Sequence, residues 1–170
     1  NKVSQWMRIS APDENDFFVM ERYRYLTKIR CYIAAENYGF AYDLIEMMRY
    51  YAEKCDRKYI SMELGLLTAI IKYRRNSEWK TEFVETLRRI SEYKFIRIIS
   101  EEGAAVYPLL NEVRKEFLAD EKMSDWYKRV LDETHKMSLN YPVYLKTEIT
   151  EIPQLSVVAT EILKMQSDGY

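Results

Sequence analysis

Seven positions of this chain recur at a spacing of 41 or 42 residues, and that recurrence restricts the fold more tightly than any other feature. Tyr25, Ile29, Tyr32 and Tyr38 return as Leu66, Ile70, Tyr73 and Trp79 at a step of 41, and Ala41, Ile45 and Met48 return as Phe83, Leu87 and Ile90 at a step of 42. Within Tyr25, Ile29 and Tyr32, within Ala41, Ile45 and Met48, and within their counterparts, the spacing of three and four residues keeps the side chains on one face of a helix, and Tyr38 and Trp79 are the aromatics at the turns. A unit of this size cannot bury such a face alone, so the repeat calls for neighbouring units stacked against one another. The change of step calls for one inserted residue near the turn of the second unit.

Each unit reads as a helical hairpin. One helix is expected over residues 15–36, entered through "APDEND", whose Asp and Asn side chains can cap free backbone N–H groups. A second is expected over 38–54, a third over 59–75 and a fourth over 78–93. The short "ENYG" between the first two forces them antiparallel. With only four Gly and four Pro in 170 residues, little punctuates strands and turns, and the fold class is all-α. Beyond Tyr93 the rhythm shortens: "FIRIISEEGAAVYPLL" gives a brief apolar segment, an acidic turn at Glu101 and Glu102, Gly103 and another helix. A further helix is expected over 124–138, and the Pro-containing 140–154 reads as an extended linker.

Several function classes receive no support. The 26 Lys plus Arg are balanced by 27 Asp plus Glu, so the chain has no net attraction for a phosphate backbone. The apolar run Leu64–Ile71 is closed by Glu63 and Lys72 and is far too short for a membrane span. His135 is the one histidine, and with Cys31 and Cys55 it forms no recognisable zinc pattern; a surface position is expected for it. Cys31 and Cys55, offset by about 16 Å along two antiparallel helices, are expected as buried free thiols, in keeping with a reducing cytoplasm. There is no phosphate-cradling Gly-rich loop. The acidic pairs Glu101/Glu102 and Glu53/Asp56 read as solvated faces or caps. No catalytic residue and no metal site are expected, and the chain does not read as an enzyme.

The helical pairs, with a large residue in the first helix, an aromatic at the turn and spaced apolar residues in the second, resemble the tetratricopeptide repeat. The period is longer than that family's 34 residues, and Phe83 and Glu36 depart from its small-residue preferences. The resemblance implies an α-solenoid, a right-handed superhelical array of antiparallel helix pairs. Tyr32 and Tyr73 would be buried between hairpins, and Tyr23, Arg30 and Arg74 would share the concave groove. Aromatic plus guanidinium chemistry suits an anionic or polar ligand, or an acidic peptide.

Leu155-Ser156, Glu161-Ile162-Leu163, Met165 and Asp168-Gly169-Tyr170 resemble the opening of the LuxR-type helix-turn-helix, although Val158 and Ala159 stand where that family has Arg and Glu. "ERYRYLTKIRCYIAAENYGFAYDLI" and Glu101-Glu102-Gly103 followed by Leu109-Leu110 resemble the sensor region of MalT-like members of that family. The resemblance implies a bacterial, cytoplasmic transcription regulator with three parts here: a sensor over 1–139, the linker over 140–154 and the truncated first reader helix over 155–170. A small-molecule effector or a protein partner would occupy the groove, self-association is an allowed response, and DNA would be met only through the rest of the reader. An ATP-binding module would lie N-terminal to the sensor in the intact protein, with no cofactor in this part. The absence of an initiator Met and the end at Tyr170 read as the limits of a piece cut from a longer chain.

Overall fold

The computed structural model describes residues 2–14 and 17–140, and among these every regular element is helical. The elements are α1 (Lys2–Ile9), α2 (Arg22–Ala34), α3 (Tyr38–Lys54), α4 (Lys58–Arg74), α5 (Lys80–Glu92), α6 (Arg97–Ser100), α7 (Tyr107–Ala119) and α8 (Glu121–Asn140), with 3-10 turns at Val19–Glu21 and Gly103–Ala105. From α2 to α5 each helix packs on the next in chain order, and α8 packs on α7, on α6 and on the 103–105 turn. Asn140 is the last residue of α8, and the remainder of the expected linker, with all of 155–170, lies outside the described residues.

The centre of the molecule is α4. Met62 to Ile71 are ten consecutive buried residues, so this helix is enclosed on every side, as an all-round apolar helix must be. Five of the seven recurring pairs are buried in both members, whereas Trp79 is buried and its counterpart Tyr38 only half-buried. Tyr25 and Leu66, Ile29 and Ile70, Ala41 and Phe83, Ile45 and Leu87, and Met48 and Ile90 are all core residues. Each large member contributes about 1.5–3 kcal/mol of burial. Tyr32 and Tyr73 differ from expectation, being half-buried. They occupy the last turns of α2 and α4, where Tyr32 stacks on Phe40 at 5.5 Å and Tyr73 meets Trp79 edge-on at 5.4 Å.

Three successive helices end alike. Glu36, Asp56 and Asn76 adopt left-handed backbone conformations with φ of 60°, 47° and 53°. The following amide closes a Schellman turn in each case: Asn37 N–H to Tyr32 C=O at 2.9 Å, Arg57 N–H to Ala52 C=O at 2.7 Å, and Ser77 N–H to Lys72 C=O at 2.9 Å. The glycine of "ENYG" is not the turn residue, since Gly39 lies inside α3. From Glu36 to Asn76 is 40 residues, whereas α3 and α5 begin 42 apart, so the second hairpin carries two extra residues where one was expected.

The segment before α2 also departs from expectation. Of "APDEND", Asn15 and Asp16 lie outside the described residues, and the N-cap of α2 is Glu21, which makes no side-chain cap bond. Pro12, Asp13 and Glu14 run as a strap along α2. Lys28, buried, donates to the Pro12 carbonyl at 2.8 Å and pairs with Glu14 at 2.7 Å. The Tyr25 hydroxyl donates to the Asp13 carbonyl, and Tyr32 donates to the Glu14 carboxylate. Phe17 wedges between Tyr25 and Tyr51 at ring distances of 4.9 and 5.4 Å. Helix α2 starts at Arg22 rather than seven residues earlier, and α1 precedes it without having been expected.

Candidate functional site

Tyr23 and Arg30 stand two turns apart on α2, on the side that faces α4, and Arg74 ends α4. The structure brings all three to the wall of a single cavity of about 480 Å3, a size suited to a small ligand. Leu26, Ile33, Leu67 and Ile70 form its apolar floor, and the 101–105 segment with Met137 of α8 completes the wall. Four separated pieces of the chain therefore contribute to one site.

The three residues play different parts. Tyr23 is exposed at the mouth with the Arg22 guanidinium 4.4 Å over its ring. Arg74 is exposed at the rim and donates to the Ile33 carbonyl at 3.0 Å, tying the last turn of α2 to that of α4. Arg30 reaches inward. Its Nε donates to Glu102 at 2.9 Å, and its Nη2 donates to Glu63 at 2.5 Å and also to Glu102. Burial opposes the charge on Arg30, but the two carboxylates outweigh it and hold the guanidinium above its ordinary range. The Glu63 carboxyl is pushed up from its usual value, first by burial and then by the nearby Glu102 and Glu101 charges, against the hydrogen bond from Arg30.

That arrangement corrects two readings of the sequence. Glu102 is no solvated cap, since its side chain is 7% exposed; Glu101, 46% exposed and paired with Arg97 at 2.5 Å, does fit that description, as do exposed Glu53 and Asp56. Nor is Arg30 a free guanidinium awaiting an anion, because its charge is already answered inside the protein. The residues that sequence reasoning missed are Glu63, Glu102, Tyr59 and Met137. Only Glu63 carried a signal. A carboxylate inside an otherwise apolar helix has to find a partner, and none lies within one turn of it on α4.

The other candidate chemistries lead nowhere further. His135 is exposed on α8 against the Tyr107 ring at 5.1 Å. Cys31 and Cys55 are free thiols, but Cys55, at the C-cap of α3, is exposed rather than buried, while Cys31 is half-buried and its thiol is pushed up by that burial. Among the described residues no cluster of His, Cys, Asp and Glu could hold a metal, and no helix is long and apolar enough to cross a membrane. No family model, curated protein or solved structure matches this chain.

Proposed function

We propose that this chain is the sensing segment of a cytoplasmic transcription regulator of the MalT-like, LuxR-type class, in which the paired helices continue as a tetratricopeptide-like solenoid. The reading rests most on one observation. A cavity of ligand size is lined by two helices of the repeated part and by the irregular segment that follows them. Met137 of that wall sits on α8, and α8 leads in sequence towards the residues that resemble the reader. A ligand that binds one packing of α8 against the hairpins more tightly than another shifts the population of packings by that difference in affinity. Reader release or self-association then follows the occupancy.

The test is thermal unfolding of residues 1–170 against a panel of small metabolites. A true effector at a hundred times its dissociation constant adds about 2.7 kcal/mol of stability, and a panel that shifts nothing removes the sensing role. A second reading, a constitutive protein–protein scaffold, is favoured by the exposed ring cluster of Tyr59, Phe95 and Tyr93, with centroids 5.6 and 5.3 Å apart. A scaffold would be stabilised by a protein partner alone.

A further inference from the structure

The buried charges of the cavity wall do not balance. Glu63 and Glu102, with side chains 12% and 7% exposed, share the single guanidinium of Arg30. The other charges on the lining stand in water at the rim and are screened by it: Arg74 is exposed, and Glu101 pairs with Arg97, which is 88% exposed. The desolvated wall is therefore left with one negative charge more than it has positive. It stands beside an apolar floor of Leu26, Leu67 and Ile70 and below two tyrosine rings, Tyr23 and Tyr59, at the mouth.

We infer that the cavity takes an organic cation, an amine carried on an apolar body, with its ammonium group at Glu63 and Glu102 and its body on the leucine and isoleucine floor. The inference rests on the proposed sensing role of the same cavity; of the anionic or polar ligand, or acidic peptide, expected from the aromatic and guanidinium groups, it drops the anionic ones. An ammonium group supplies the positive charge that the wall lacks, and it relieves the cost, visible in the raised carboxyl of Glu63, of ionising that group in a buried place. The ring of Tyr59 on the lining offers an electron-rich face to the same charge on its way in. An anion would meet the opposite situation. To reach Arg30 it would displace a carboxylate already bonded there, and it would stand against two like charges in a poorly solvated space.

Three congeners with one ring and similar short side chains separate charge from shape: 2-phenylethylamine, 2-phenylethanol and phenylacetate. Titrated by calorimetry into residues 1–170 at neutral pH and low salt, the amine should bind at least about tenfold more tightly than the alcohol, the ratio of one well-placed charged contact. Phenylacetate should show no saturable binding. Glu102→Gln and Glu63→Gln should each erase most of the amine's advantage while leaving the alcohol unchanged. Should either variant fail to fold, raising salt on the unaltered protein makes the same discrimination, since only the amine should weaken. Equal binding of amine and alcohol, or preference for phenylacetate, overturns the cation while leaving a ligand-binding cavity in place. Failure of all three to bind overturns the cation too, and the metabolite panel then decides separately whether the sensing role survives.

Discussion

From α2 to α5 the chain repeats one device: a helix of 13 to 17 residues, with a left-handed residue closing each turn up to α5. From α6 onward it abandons that device for a helix of four residues, a 3-10 turn at Gly103–Ala105 and, after α7, a helix of twenty. The regular part buries its surface helix against next helix. The irregular part also buries an apolar interior, Ile99, Leu110, Phe117 and Val130 among it, and fixes its uneven pieces with individual contacts: Tyr127 donates to the Leu110 carbonyl at 2.6 Å, Phe117 stacks on Tyr127 at 4.7 Å, and Trp126 Nε1 donates to the Phe95 carbonyl at 3.0 Å. Repetition makes a wall, and the break in repetition folds α6, the 103–105 turn and α8 over it. The cavity lies where the two modes meet, and Arg30 joins them at its wall.

The largest expected effect therefore comes from cutting that join. Arg30→Ala leaves Glu63 and Glu102 facing each other without a cation. We expect a loss of about 3 kcal/mol in urea unfolding, the low end for breaking a buried pair because Arg30 itself remains partly in water. Arg88→Ala provides the contrast. Arg88 also reaches across the boundary, from α5 to Glu116 of α7 at 2.8 Å, but both side chains are about half-exposed, so its loss should stay below about 1 kcal/mol. Equal losses from the two variants would mean that the buried junction has no special part in holding the two regions together.

A second, smaller effect concerns packing within the regular part. Gly65 lies in the middle of α4, and a Cβ there would stand 2.6 Å from Oγ1 and 3.1 Å from Cγ2 of the buried Thr86 on α5. Gly65→Ala gains helix propensity but forces α4 from α5, and we expect a net loss of about 1–2 kcal/mol. Adding Thr86→Ala, which removes both Oγ1 and Cγ2, should recover part of the loss through non-additivity. Gly39 lies in the first turn of α3 with nothing within 4 Å of its added Cβ, so Gly39→Ala should stabilise by about 0.5 kcal/mol. If the two alanines act in the same direction, close α4–α5 approach is not what Gly65 serves.

The difference between the regions also governs what the sequence disclosed. The helices α3, α4 and α5 lie within two residues of expectation, because their apolar periodicity repeats and is read locally. The start of α2 was misjudged because the strap of Pro12, Asp13 and Glu14 satisfies polar groups of α2 from outside its own sequence. Tyr23, Arg30 and Arg74 could be named from helix faces, and they do line one cavity. The partners of Arg30 could not be named, since Glu63 is 33 residues away and Glu102 is 72. No periodic rule pairs an α2 residue with a 3-10 turn beyond α6. Those unseen partners are why an anionic or polar ligand, or an acidic peptide, was expected and a cation is proposed instead.

The smallest effects belong to the turns themselves, and they test whether the regular part is as uniform as its geometry. Glu36, Asp56 and Asn76 hold one backbone conformation with three different side chains. A left-handed residue with a Cβ is strained, and Asn tolerates the region better than Asp or Glu because its short side chain can hydrogen-bond locally. Glycine removes the strain at the cost of greater freedom in the unfolded chain. Glu36→Gly should therefore stabilise by about 0.5–1 kcal/mol, Asp56→Gly by somewhat less and Asn76→Gly by about zero. Urea midpoints of the three single variants, at unchanged slope, are the measurement. The order matters more than the sizes, since it follows from side-chain chemistry at a constant φ. A gain largest at Asn76 would show that the turns are not equivalent, and that the two extra residues before α5 have changed the strain at the end of α4.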